Sequence, residues 1–161
     1  MKHKTWILEI LRWLAAVAAI VCLVSLLKTE PVSDADFSKV LTAVTEQADT
    51  SNMLQAENQM VKRLYGLDPS AYEGCALYYP ATNMDAEELL LIKLKDENQQ
   101  ADVRAAMEKR IENQKNAFEG YGIEQFDLLS NACVLEVRGK FALLAVTDSC
   151  DAVLAAFRDT L

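Results

Sequence analysis

Histidine is almost missing from this 161-residue chain, whose single copy, His3, sits at the extreme start. The body that follows has no histidine for a Ser-His-Asp or Cys-His mechanism and none to ligate zinc. Glycine and proline are scarce too, with five and three copies. A collagen-like polymer is thereby excluded, and no P-loop pattern, no GxGxxG and no calcium-loop pattern occurs. Positive charge is in deficit: 16 Lys+Arg face 24 Asp+Glu, for a net charge of −8 and a pI near 4.7. An acidic chain repels phosphate backbones, so nucleic acid is not an expected partner. No internal repeat and no low-complexity tract is found.

What is present is divided unevenly. Residues 1–28 carry four bases (Lys2, Lys4, Arg12, Lys28) against Glu9, a net of +3; the remainder carries 12 bases against 23 acids, a net of −11. The head also holds the only long apolar run. From Trp13 to Leu27 every residue but Ser25 is apolar or Ala, and extension back to Trp6 gives 22 residues. A helix of that length spans a hydrocarbon core of about 30 Å. Glu9 and Arg12, three apart, can pair and snorkel toward the interface, where Trp6 and Trp13 form an aromatic belt. With Lys2 and Lys4 inside, residues 1–28 read as a cytoplasmic head and single-pass signal anchor, and the C-terminal body lies outside the cytoplasmic membrane. No small-x-small cleavage site lies between Ser25 and Pro31, and Val21 before Cys22 does not suit a lipoprotein signal; cleavage and lipidation are the alternatives. The tether at 29–33 (TEPVS) reaches at most about 18 Å, so the body at 34–161 works close to the membrane.

Within the body, helical spacing of Phe37, Val40, Leu41, Val44 and Ala48 predicts a helix from Asp34, capped by Ser33 or Asp34. A second helix is expected over Gln55–Tyr65 with Gly66 as its C-cap. Strands are expected at Cys75–Tyr79 and Glu88–Lys95, the latter central because its apolar run is continuous. A long helix fits 96–118, with Val103, Met107, Ile111 and Phe118 as its stripe and Arg110 and Gln114 on or beside it. A short helical turn at 124–129 precedes a hairpin of 132–137 and 141–147, centred on Arg138-Gly139 or Gly139-Lys140. A last helix spans about 151–158. The order ααββαββα predicts an α+β domain with an antiparallel-rich, four-stranded sheet packed by helices.

Four blocks, KRLYGLDP at 62–69, AEELLLIKLKD at 86–96, KRIENQKNAFEGYG at 109–122 and NACVLEVRGKFALLAV at 131–146, resemble the domain of unknown function 4358 family. The resemblance covers roughly 35–150. It implies a membrane-anchored or lipoprotein-like extracytoplasmic domain of Gram-positive bacteria with no assigned activity. Glu88, Lys93, Arg110, Gln114, Tyr121 and Gly139 occupy its signature positions, and no catalytic role comes with them.

No catalytic residue, metal ligand or cofactor-binding residue is assigned, and no cofactor is expected. Glu87 and Glu88 are adjacent on a strand and point to opposite faces, so they are no acid pair. Glu88 shares the core face with Leu90, Ile92 and Leu94, and Arg110 and Gln114 line the inward side of the long helix. An ion pair between Glu88 and Arg110 is therefore expected, either fixing helix to sheet or forming a pocket with Gln114 for a carboxylate or amide. Tyr78 and Tyr79 point to opposite faces, so one of them is a candidate surface contact for a sugar or peptide. Outside the anchor, Cys75, Cys133 and Cys150 are odd in number and read as buried free thiols. The expected function is that of an anchored envelope interaction module, not an enzyme, whose partner is an envelope protein or wall component. A small-ligand or wall-glycan binder is the alternative, and a carboxylate-dependent wall hydrolase, with Glu88 as its first candidate, comes third.

Overall fold

A computed structural model describes residues 35–161 together with Trp13. The anchor expected between Trp6 and Leu27, and the tether after it, lie outside the described residues apart from Trp13. Among the described residues no helix is long and apolar enough to cross a membrane. The chain divides into two compact units, 1–31 and 32–161, and the second is the acidic body.

The body begins with helix α1 (Phe37–Gln47), capped by Asp36, whose carboxylate accepts from the backbone N–H of Ser38 at 2.8 Å and Lys39 at 3.2 Å. The cap therefore lies downstream of the expected Ser33 or Asp34, because Asp36 stands two and three residues before the first free N–H groups. Strand β1 (Met53–Gln55) follows, then helix α2 (Asn58–Tyr65), closed by Gly66 with φ +71°, a left-handed cap that favours glycine. The expected helix from Gln55 starts three residues later, since Met53–Gln55 pair with Tyr78–Pro80 at the sheet edge. That edge strand makes the sheet five-stranded and corrects the expected count of four.

Strands β2 (Gly74–Pro80) and β3 (Glu88–Lys93) are joined by a short loop, and a capping box of Asp96 and Gln99 opens a 3-10 turn (Glu97–Gln99) that leads into helix α3 (Gln100–Phe118). The expected turn at 124–129 is a full helix, α4 (Ile123–Asn131). Strands β4 (Cys133–Arg138) and β5 (Phe141–Val146) form the hairpin, and α5 (Cys150–Thr160) ends the chain. Arg138 pairs with Phe141, so Gly139-Lys140 is the central pair. Gly139 has φ +52° while Lys140 stays negative, the type II′ pattern that places glycine first.

The sheet order is β1-β2-β3-β5-β4, antiparallel throughout, with β3 in the middle as its apolar run predicts. Alternation along β3 builds two cores. Leu89 and Leu91, with Phe141, Leu143 and Ala145, pack under α1 and α5 through Val40, Val44, Val153 and Phe157. Leu90 and Ile92, with Leu77, Leu144 and Val146, pack under α2, α3 and α4 through Val61, Tyr65, Val103, Met107, Phe118 and Leu129. The result is a helix–sheet–helix sandwich, with buried apolar residues on both sides of one sheet.

Candidate functional site

Glu88 opens β3 on the side covered by α2, α3 and α4, opposite Val146 on β5. It is fully buried. A buried carboxylate is costly unless donors surround it, and four donors do. The α3 side chain of Arg110 grips it with Nη2 to Oε2 at 2.7 Å and Nε to Oε1 at 3.1 Å and to Oε2 at 3.2 Å. One turn further along α3, Gln114 donates from Nε2 to Oε2 at 3.2 Å. From α2, the phenol of Tyr65 donates to Oε1 in a short hydrogen bond.

These donors explain the electrostatics. Burial opposes the Arg110 guanidinium charge, but the hydrogen bond and charge of Glu88 outweigh it and raise its pKa. Burial, followed by the negative charge of Glu88, raises the Tyr65 phenol well above 10.0, so Tyr65 stays a donor. A carboxylate has room for about four donors and offers none itself, so the acceptor sites of Glu88 are filled. The same logic fixes the Gln114 amide: its NH2 must face Glu88, and its Oε1 must face away. That oxygen is buried and has no hydrogen-bond partner among the described residues.

Above this network lies a cavity of about 510 Å³, walled by α2, the loop after β2 and α3. Arg110 and Gln114 form part of its lining, beside apolar Leu54, Met60, Leu64 and Phe118 and the rings of Tyr79 and Tyr121. Leu54, Met60 and Tyr79 also wall a second depression of about 370 Å³, bounded by Gln55, Glu57 and Gln59. The larger hollow, the trough, thus adjoins the smaller one at Leu54 of the sheet-edge strand β1.

The expected ion pair of Glu88 with Arg110 is thus present, and Gln114 and Tyr65 join it. The sequence puts Tyr65 at a helix end and in a tyrosine cluster between 65 and 79, without linking it to Glu88. The available signal was chemical: a buried tyrosine needs a hydrogen-bond partner, and Glu88 was the one acid expected in the core. Tyr78 and Tyr79 do point to opposite faces. Tyr79 lines the trough, whereas Tyr78 packs against the core under α1 and α5. Tyr121, 63% exposed, stands at the trough and contacts Phe118 with ring centroids 6.0 Å apart. Lys93 lies away from the trough, paired with Glu73 at 2.6 Å and stacked over the Phe141 ring.

Cys75, Cys133 and Cys150 are free thiols. Burial pushes Cys75 and Cys133 up to about 11, so at neutral pH both are protonated and poor nucleophiles. A separate acidic hollow of about 250 Å³ is lined by Asp85, Glu87, Glu124 and Asp148. Burial and the neighbouring acids raise the Glu87 carboxyl. Among the described residues no group of three or more His, Cys, Asp or Glu is arranged to hold a metal ion.

Neither a curated protein nor a solved structure matches this chain. A family model does match, over residues 46–147, a span that contains Tyr65, Glu88, Arg110, Gln114 and the whole sheet but not α5. By that match, which covers more than half of its length, the chain belongs to the family described as domain of unknown function DUF4358.

Proposed function

We propose that the chain is a membrane-anchored, extracytoplasmic interaction module of the cell envelope, and that it holds a protein or wall partner in the trough above Glu88. The basic, apolar head of residues 1–28 supports the anchor and the outward orientation. The observation that carries the binding reading is the polar network. A protein needing only a core gains little from burying Glu88, Arg110, Gln114 and Tyr65 together, because apolar residues of similar volume are commonly as stable. Leaving one buried oxygen unsatisfied costs roughly 1–3 kcal/mol more. Buried polar groups lining an open cavity are what a binding site uses to orient its ligand.

The filled acceptor sites of Glu88 argue against its use as a base or nucleophile, because no lone pair is left to take a proton or attack a sugar carbon. A small-ligand or wall-glycan reading is second, favoured by Tyr79 and Tyr121 in the trough lining. The test is photo-crosslinking in the native membrane from a benzoylphenylalanine at position 121. A discrete trapped protein, absent when the crosslinker sits at exposed Glu108 on the outer side of α3, is the expected result. Trapping of glycan fragments alone would support the second reading instead. Turnover of wall material that disappears in Glu88→Gln would overturn both.

A further inference from the structure

We propose that strand β4, at the open edge of the sheet, pairs antiparallel with β4 of a second copy of this chain, joining two sheets into one across a two-fold axis at Leu135. The surface lies apart from the trough, none of whose lining residues is in β4. The main chain of β4 carries the proposal. The Thr147 N–H donates to the Ala132 carbonyl at 3.2 Å, which fixes the phase of the β4–β5 ladder. In that phase Val134, Glu136 and Arg138 aim their main-chain groups at β5, while Cys133, Leu135 and Val137 aim theirs outward. The N–H and C=O groups of those three outward residues have no partner among the described residues. Half-buried along its whole length, β4 has no proline, no glycine and no bulge to guard it. The opposite edge strand, β1, is three residues long, and its Met53 N–H is already bonded to the Thr50 carbonyl.

An extended strand of any protein could meet such an edge; what selects a second copy is the self-complementarity of CVLEV at 133–137. Its outward residues are centred on Leu135, so an antiparallel copy sets Leu135 opposite Leu135 and Cys133 opposite Val137. Every outward N–H and C=O of both strands then has a partner. Val134 faces Glu136, and no like charges stand directly opposite. Sliding the copy one step toward the turn would set Glu136 against Glu136, which repel. Sliding it the other way would set Val137 against Asn131, whose backbone is helical and cannot pair. The charges at the seam agree. Arg158 of α5 holds Glu136, with Nε at 3.0 Å from both carboxylate oxygens. The two Glu136 residues become diagonal neighbours about 7–8 Å apart, and each brings its own half-exposed Arg158 to the same face. The seam is thus locally neutral in a body of net charge −11. On the other face Cys133, Leu135 and Val137, at the margin of the core under α2, α3 and α4, are covered by their counterparts. The two-fold axis stands perpendicular to the sheet, so both copies of α1 lie on one side of it, as suits two chains anchored in one membrane.

The test is disulfide trapping between full chains mixed in detergent micelles, which does not depend on the anchor reading. One chain carries Val137→Cys with Cys133→Ala, and the other keeps Cys133. Across a hydrogen-bonded pair the Cα atoms stand about 5.5 Å apart, within disulfide range. Mild oxidation is expected to give a dimer whose bridge, mapped by mass spectrometry, joins Cys133 to position 137. Cysteine at Val134, on the opposite face of β4, should link to Cys133 about tenfold less. Equal trapping from 134 and 137, or none from either, would overturn the proposal. So would a bridge from position 137 in native membranes that joins another protein and never Cys133 of a second copy. The unaltered chain should sediment in density-matched micelles with the mass of two copies, and a single-chain mass would overturn the proposal whatever the variants do. Leu135→Pro removes an outward N–H and leaves the β5 ladder whole, so it should halve that mass. A double mass that survives Leu135→Pro would place the contact elsewhere and overturn it as well.

Discussion

The two faces of the sheet are built from the same strands and yet obey different rules. Under α1 and α5, alternate residues of β3 and β5 meet apolar groups until the end of β3, where buried Lys93 lies over the Phe141 ring and pairs with Glu73 at the rim, and Val40, Val44, Leu91, Leu143, Val153 and Phe157 have no measurable exposure. On the opposite face the alternate residues of β3 start with a carboxylate, held by side chains from two helices and opening on a trough. One strand, Glu88–Lys93, serves both faces. What differs is the purpose each face can serve: the closed face holds the fold, while the open face carries a polar group set that packing alone does not require.

The largest effect should separate these roles. Phe157→Ala on the closed face removes a fully buried ring and should cost about 3–5 kcal/mol in urea unfolding. Filling that volume with another apolar residue should recover most of it. Arg110→Met on the open face should also cost about 3–5 kcal/mol, but for a different reason: it strands Glu88 without its cation. The two losses are distinguished by rescue, because adding Glu88→Leu should restore stability in the Arg110→Met background. A double variant no more stable than Arg110→Met alone would show that the open face is packed like the closed one.

A third, smaller effect is a pH signature of the trough face, where Cys75, Cys133 and Tyr65 all pack. The thiols ionise near 9.0 when exposed and at about 11 in the fold. Their contribution to stability is therefore complete below pH 9 and is lost as pH rises through about 11, with Tyr65 extending the loss above its usual 10.0. Urea midpoints measured from pH 7 to 11 should fall beyond pH 9, and the Cys75→Ala/Cys133→Ala chain should fall less between 9 and 11. An unchanged slope in that variant would assign the sensitivity elsewhere.

The sequence made the closed face and the middle of the sheet easy to read, because an apolar run such as that of β3 and a helical repeat such as Val40, Val44 leave few alternatives. It also placed Glu88, Arg110 and Gln114 together, since strand alternation and helical phase fix which way each side chain points. Strand β1 was hidden for a physical reason: three residues pair at an edge with only Met53 buried, too short for an alternation pattern. Helix α4 was read as a turn because Ile123 and Phe126 are exposed and blur its apolar stripe. The trough itself depends on how α2, α3 and the β2–β3 loop sit against each other, which no local pattern encodes.

Whether the polar network serves binding rather than folding is read most directly from a single chain that lacks all of it. Tyr65→Phe, Glu88→Leu, Arg110→Met and Gln114→Leu are combined in one full-length chain, and its urea midpoint is read beside crosslinking from position 121. The expected result is a chain as stable as the original or more so, by up to about 1–4 kcal/mol, that no longer traps its partner. A chain that loses several kcal/mol yet traps the partner as before would contradict it.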